Sequence, residues 1–322
     1  MPPTTIRLQL AAVLCLTACM PASAPATIHT LTGNLLAEYT FTCDPWSAGK
    51  THRAETASFQ VGGKGINVAK MLHRLGHPVR ALAFAGGGSG QTCRDWLAAQ
   101  PFPHRLFPTA TPTRVGLVVR SAQSAETTFL GPDTAPDADA LTALAAHLGT
   151  LPSGDLVALC GSFPGWTSPA AAPLRACLRQ LAEQGRLIAD TYGPPLADLV
   201  AGPAITIKIN ADELRALGAP PPDRHTWIIT DGPRAVTIHT PGAATPETLQ
   251  PPAIREVSAT GSGDVFLAAW LHGRHGLDLD PLSAARHALP YAAANAAHPG
   301  VADFPLDCLP APSPRANTTP HS

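Results

Sequence analysis

The chain has 322 residues, 45% of them hydrophobic, and a formal net charge of −1. That is enough apolar material for one large α/β domain or two small ones, and without a Lys/Arg stripe the charge argues against a nucleic-acid partner. Seven cysteines, an odd number with no CxxC pair, speak against a zinc site, a redox pair or a disulfide framework.

Residues 1–26 read as a leader: one charge (Arg7), a short apolar run from Leu8 to Ala18, then small residues. The pattern resembles a secretory signal peptide, and LTAC ending at Cys19 resembles a lipoprotein lipobox. The run is too short to span a membrane stably, and an unstructured extension is the alternative reading.

After Pro25, IHTLTGNLLAEYTF reads as a first strand with a bend. In FQVGGKGINVAKMLHRLG a glycine turn precedes Val68, Met71, Leu72 and Leu75 at helical spacing on one face, and Gly76 stops the helix. VRALAFAGGGSGQTCRDWLAA repeats strand, Gly-rich turn and helix. TRVGLVVRS is a strand, LTALAAHLGTL a helix and DLVALCGSF a buried strand. PLRACLRQLAEQG (helix), RLIADTYG (strand), AITIKINADELRALG (strand into helix) and WIITDGPRAVTIHTPG (two strands) follow. SGDVFLAAWLHGRHG and LSAARHALPYAAANAAHPG are the last helices.

This alternation predicts an α/β fold, a largely parallel sheet with helices on both faces. Ligands bind such sheets at the carboxyl ends of strands, where the Gly-rich turns fall. Segments near 40–60 and 105–130 interrupt the alternation and are expected to form a small β lid. The main domain is expected over 27–306, and the proline-rich tail, 307–322, reads as disordered. The 13 histidines show no metal-ligand spacing and read as surface or loop residues, and most cysteines as small buried hydrophobes.

Two glycine motifs carry the chemistry. Gly62-Gly63-Lys64-Gly65 lacks the spacing of a Walker A loop and the third glycine of a dinucleotide fingerprint. It offers backbone N–H groups, a cation and Asn67 at a helix N-terminus, which suits polyhydroxylated or anionic ligands. At GSGD, Gly261, Ser262 and Gly263 can aim N–H groups at one spot ahead of a helix, stabilising negative charge. Asp264 beside that spot is either a plain helix-start residue or a base. As a base it would take the proton of an alcohol attacking phosphorus, with the turn neutralising the transferring phosphate.

QVGGKGINVAKMLHRLG and EVSATGSGDVFLAAWL resemble the two signatures of the ribokinase/PfkB family of sugar kinases, and the resemblance runs from about Ile28 to Phe304. AITIKINADEL resembles the family's Asn-x-x-Glu segment, and AAANAAHPGVADF its adenine-pocket segment. TLTGNLLAEYTF, RAETASFQVGGKGINVAKMLHRLG, CGSFPGW and ATPTRVGLVV look like the 1-phosphofructokinase and tagatose-6-phosphate kinase branch.

The resemblance implies a ribokinase-like fold and a kinase using ATP with Mg²⁺. It makes Asp264 the general base and Gly261, Ser262 and Gly263 the anion hole. It places Gly63, Lys64 and Asn67 on the sugar and Arg114 on its phosphate, which a guanidinium fork suits. Glu213, with Asn210, orients Mg²⁺ through water. Lys208, Thr230 and Gly232 lie along the nucleotide, and Asn295 near the adenine. Partners are then ATP and a small sugar phosphate, in the cytoplasm where ATP is available; a homodimer is left open.

Departures bear on the substrate. Asn34-Leu-Leu-Ala-Glu38 stands where the branch has Asn-Pro-x-x-Asp, so Glu38 would reach sugar hydroxyls from about one bond further out. Ser258-Ala259 replaces Asp/Asn-Thr, and the Asn following the arginine strand is not evident in ETTFLGPDT. Alternatives are a non-catalytic sugar-phosphate or nucleotide binder on the kinase fold, a kinase for an unphosphorylated sugar or nucleoside, and an exported lipoprotein anchored through Cys19.

Overall fold

The apolar runs that alternate with helical segments become the strands of one large sheet. The computed structural model describes residues 25–218 and 223–310. Nearly all of the leader, with Cys15 and Cys19, and residues 311–322 of the tail lie outside the described residues. In chain order the elements are β1 (Ile28–Thr32), β2 (Leu36–Thr42), β3 (Thr56–Gly62), α1 (Lys64–Arg74), β4 (Val79–Ala85), α2 (Gly87–Ala98), β5 (His104–Pro108), β6 (Arg114–Ser121), β7 (Ser124–Leu130), α3 (Ala138–Gly149), β8 (Leu156–Cys160), α4 (Ala172–Glu183), β9 (Leu187–Asp190), α5 (Pro194–Ala201), β10 (Thr206–Asn210), α6 (Ala211–Leu217), β11 (Thr226–Thr230), β12 (Val236–His239), β13 (Glu247–Leu249), α7 (Ser262–His275) and α8 (Pro281–Ala296).

The large sheet is nine-stranded, in the order β13-β12-β11-β10-β9-β8-β1-β4-β5. It is parallel from β5 through β11, and β12 and β13 add antiparallel at one edge. Every residue of the central strands β1 and β8 is buried, as strands covered on both faces require. Strand side chains alternate between two cores. Ile28, Ala81, Ala83, Ala158 and Ile228 pack with α1, α2, α7 and α8, whereas Leu31, Leu82, Val157, Leu159 and Ile229 pack with α3, α4 and α5.

The expected first strand with a bend is two strands in two sheets. β1 ends at Thr32, residues 33–35 turn, and β2 enters a four-stranded sheet ordered β3-β2-β6-β7. Phe59, Tyr39, Leu117 and Phe129 stand in one register row across it, with Tyr39 and Phe129 exposed. α5 begins on Pro194-Pro195, between two segments that the alternation assigns to strands. Proline is accepted in a first helical turn because its missing N–H has no intrahelical partner there.

His29, buried within β1, overturns the expectation of surface or loop positions, while His77 and His225 lie in loops but are buried there too. His29 bonds Asp155 at 2.9 Å, His77 meets the Ala26 carbonyl at 3.1 Å, and His225 bridges the Ile205 N–H and the Val200 carbonyl. Burial lowers the proton affinity of all three, so each sits inside as a partnered neutral ring. Cys43, Cys93 and Cys160 are buried free thiols. Burial pushes the Cys93 thiol up to about 11, leaving it an inert apolar group. Among the described residues no helix is long and apolar enough to cross a membrane.

Candidate active site

From β1 the chain runs to β4 and β5 on one side of the sheet and returns as β8, β9, β10 and β11 on the other. The switch point therefore lies between β1 and β8, where an open α/β sheet leaves a crevice beyond its strand ends. Asn34, after β1, donates its Nδ2 to Ser162 Oγ, after β8, at 2.9 Å and closes the floor of that crevice.

Two helices start at this edge. α1 begins at Lys64 with Gly63 as N-cap, and α7 begins at Ser262 with Gly261 as N-cap; neither has a side-chain cap. Uncapped N-terminal N–H groups and the helix dipole favour negative charge. The Ser262 N–H already turns back to the Ala259 carbonyl at 3.2 Å. Gly261 holds a left-handed φ of 74°, a conformation that a residue without Cβ adopts freely. A Cβ on Gly263 would lie 2.7 Å from Lys208 Nζ, so only glycine lets that ammonium come so close to the helix start.

Asp264 sits in the first turn of α7 and is 6% exposed. Asn67, in the first turn of α1, donates its Nδ2 to Asp264 Oδ2 at 2.7 Å. Burial, and next the neighbouring Asp190 charge, push the Asp264 carboxyl up from 3.8 to about 6, against Lys64, Lys208 and the Asn67 bond. Asp190 ends β9 and is fully buried. Its Oδ1 pairs with Lys64 Nζ at 3.0 Å and its Oδ2 with Lys208 Nζ at 2.9 Å. Burial alone would raise the Asp190 carboxyl, but the two ammoniums outweigh it and hold Asp190 below the usual range. Lys64 mirrors this: burial favours its neutral form, yet Asp190, Asp264 and Glu213 together raise its proton affinity.

The residues expected along the nucleotide follow on neighbouring strands. Lys208 is in β10 and only 3% exposed. Asn210 ends that strand in register with Thr230 at the end of β11, and Gly232 lies exposed in the following turn. Asn210 and Glu213 form a reciprocal capping box on α6, each backbone N–H donating to the other's side chain at 2.8 Å. Glu213 Oε1 also lies 3.4 Å from Lys64 Nζ. Asn295 is fully buried. Its Nδ2 donates to the Thr260 carbonyl at 2.9 Å and Ser262 Oγ at 3.0 Å, while its Oδ1 accepts from the Ala302 N–H at 2.8 Å. The first two bonds hold the GSGD turn, and the third ties Asn295 to the segment at Ala302.

On the other side of the crevice, Arg114 starts β6. Its Nη1 donates to Asp133 Oδ1 at 3.0 Å and its Nη2 to the Asn34 carbonyl at 3.4 Å. A shallow cleft beside them is lined by Gly33, Thr113 and Thr134 among others. Glu38 stands in register with Gln60 and accepts its side-chain amide. Its other oxygen points at Gly62, 3.3 Å from where a Cβ there would be.

Lys64, Asn67, Lys208, Glu213, Gly263 and Asp264 thus gather in one cluster. Arg114 belongs to a second group with Asn34 and Asp133, and Asn295 supports the turn from behind. Sequence reasoning missed Asp190 and Asp133. For Asp190 the signal was present: a charged residue closing an apolar strand, LIAD, at a carboxyl end where ligands bind.

The pfkB family carbohydrate kinase model matches residues 32–307. A 1-phosphofructokinase of Xanthomonas campestris is 32% identical over 260 residues, 74% of this chain and 81% of that one. A 1-phosphofructokinase of Rhodobacter capsulatus is 31% identical over 274 residues, 78% of this chain and 85% of that one. The structure of phosphofructokinase-2 from Escherichia coli in complex with substrates and products superposes with a TM-score of 0.75 at 23% identity, over 84% of this chain and 93% of that one. The fold is therefore ribokinase-like, and the chain belongs to the pfkB family of carbohydrate kinases, enzymes that transfer a phosphoryl group to a hydroxyl.

Proposed function

We propose that this kinase transfers the γ-phosphoryl group of ATP to a hydroxyl of a ketohexose phosphate, such as fructose 1-phosphate or tagatose 6-phosphate. The observation that carries the reading is the buried Asn67–Asp264 pair at the α7 N-terminus, with the Lys64 and Lys208 ammoniums beside it. Asp264 takes the acceptor's proton as the acceptor oxygen forms its bond to phosphorus and ADP leaves. A carboxyl near 6 can accept that proton and release it again near neutral pH. The Gly261–Gly263 turn and Lys208 offset charge on the transferring group. Arg114 and Asn34 meet the acceptor's own phosphate, and Gly63, Lys64 and Glu38 its hydroxyls. The 1-phosphofructokinases to which the chain is similar support a phosphorylated acceptor.

Mg²⁺ suits the donor set. Among the described residues no cluster of three or more His, Cys, Asp or Glu could hold a metal, and hydrated Mg²⁺ typically needs one or two carboxylates plus substrate phosphates. Both Glu213 oxygens are engaged, so Glu213 would meet the ion through water. The ion would supply charge neutralisation on the nucleotide phosphates. Lys208, Asn210, Thr230 and Gly232 align the nucleotide, and Asn295 keeps the turn in shape.

A second reading, a kinase for an unphosphorylated sugar, is favoured by one observation: a carboxylate, that of Asp133, already sits on Arg114. Measuring ADP release across fructose 1-phosphate, tagatose 6-phosphate, fructose 6-phosphate, fructose and nucleosides decides between them. Turnover on the phosphorylated ketoses supports the first reading, turnover on neutral sugars alone replaces it, and ligand binding without ADP leaves a non-catalytic binder. The exposed row of Tyr39 and Phe129 supports a homodimer in which a second copy covers it, and sedimentation as a monomer at micromolar concentration would remove that part. An enzyme needing ATP is placed in the cytoplasm. Fractionation with N-terminal sequencing tests this, and a mature chain starting at Cys19 would contradict it.

A further inference from the structure

The loop after β7 puts a carboxylate where the acceptor's phosphate is proposed to bind. Asp133 Oδ1 accepts from Arg114 Nη1 at 3.0 Å and from Asn34 Nδ2 at 2.7 Å. The donors and the acceptor differ in setting. Asn34 is 4% exposed and the Arg114 side chain 14%, whereas the Asp133 side chain is 59% exposed. The donors are also held without Asp133, Arg114 through the Asn34 carbonyl and Asn34 through Ser162 Oγ. The seat therefore does not depend on the group that fills it.

The seat has unused capacity as well. Arg114 Nε is a buried donor and has no partner in the structure. A buried donor left unpaired is costly. A carboxylate on Nη1 does not reach Nε, whereas a phosphate monoester brings three acceptor oxygens, more charge and a shape that a guanidinium fork binds bidentately.

We propose that Asp133 is a specificity-determining residue that occupies the phosphate seat of Arg114 and Asn34 until the acceptor's phosphate displaces it, and so sets the affinity for phosphorylated acceptors. This rests on the sugar-phosphate reading. Displacing an exposed carboxylate costs little, since exposed ion pairs contribute no more than about a fivefold change in an equilibrium. A neutral sugar brings no anion to that seat and leaves Asp133 where it is, so its affinity is insensitive to Asp133.

The test compares wild type with Asp133→Ala and Asp133→Asn in the full chain. Two measurements are made: KM values for fructose 1-phosphate and ATP, and thermal stabilisation by inorganic phosphate. In Asp133→Ala the fructose 1-phosphate KM should fall about threefold to fivefold while the ATP KM stays put. Inorganic phosphate should stabilise that variant at correspondingly lower concentration. Asp133→Asn, which keeps an acceptor but loses the charge, should fall between. Arg114→Ala should abolish the phosphate response.

An unchanged or raised acceptor KM in Asp133→Ala overturns the proposal, because Asp133 would then support Arg114 or play no part. So does an equal phosphate midpoint, or no stabilisation of either protein. If neither protein phosphorylates any sugar phosphate, the proposed function fails, and the inorganic phosphate titration still decides the role of Asp133.

Discussion

Asn67 donates its side-chain amide to Asp264 Oδ2 at 2.7 Å, joining residues 197 positions apart in the sequence. One lies in the first turn of α1 and the other in the first turn of α7, so the bond exists only when the two glycine turns meet at the sheet edge. It favours the ionised carboxylate, in a place where burial and Asp190 oppose ionisation. Lys64 and Lys208 also favour ionisation, and the balance among all of these effects fixes the proton affinity of the proposed base.

A pH profile reads that balance directly. The Asp264 carboxyl is raised to about 6, and a base works only when ionised. The kcat/KM of the wild type should therefore be full above that value and fall tenfold per unit below it. Asp190→Asn removes the neighbouring negative charge, so the acid limb should move to lower pH as overall activity drops. Asn67→Ala removes a bond that favours the charged form, so its limb should move higher. An acid limb near pH 4 in the wild type would contradict the arrangement.

The same shift has a cost in stability. A carboxyl whose folded pKa lies above its unfolded value is penalised where it must be ionised, and the penalty vanishes once both states are protonated. Asp264→Asn should therefore raise the unfolding free energy by about 1–3 kcal/mol at pH 8, from 1.36 kcal/mol per unit. The gain should shrink as pH falls through about 6 and be gone below about 4. Urea titrations at pH 8 and pH 4 measure it, and a loss of stability at pH 8 would count against the raised value.

Asn295 is expected to act through the turn that it holds. Asn295→Ala strands the Ala302 N–H, the Thr260 carbonyl and Ser262 Oγ, and buried polar groups left unpaired cost about 1–3 kcal/mol each. The variant should lose about 2–4 kcal/mol in urea unfolding, together with turnover. A wild-type melting curve would show that the turn is held by other contacts.

Gly263→Ala tests the close approach of Lys208. Alanine in place of a helical glycine ordinarily gains about 1 kcal/mol. Here the new methyl meets Lys208 Nζ at 2.7 Å and must push the ammonium from Asp190. The variant should be less active than wild type, and no more stable despite better helix propensity. A stabilised, fully active variant would show that Lys208 can sit elsewhere without consequence.

Much of this site was legible in the sequence because its chemistry is local. GSGD and GGKG each place a turn, a helix start and a polar side chain within a few residues, so alternating strands and helices were enough to put Lys64, Asn67 and Asp264 at one edge. Asp190 was legible only as a charged residue closing an apolar strand, and its partners were not. Its role comes from two lysines 126 and 18 positions away, and nothing beside it in LIADTYG names them. Asp133 reaches Arg114 and Asn34 only because β6 and β7 pair in the small sheet. The buried histidines escaped for a related reason, since a titratable ring goes inside when distant groups supply its partners, the Asp155 carboxylate for His29 and backbone groups for His77 and His225. Asn-x-x-Glu shows the limit from the other side: the structure reveals it as a capping box, a local role that its spacing alone also permits.

The most direct measurement is steady-state phosphoryl transfer to fructose 1-phosphate by wild type and Asp264→Asn at pH 8. General-base catalysis contributes a factor of ~10² or more. The expected result is a kcat lower by at least that factor, a KM for the sugar phosphate within a few-fold, and an intact fold by melting. Turnover close to that of the wild type would contradict Asp264 as the base.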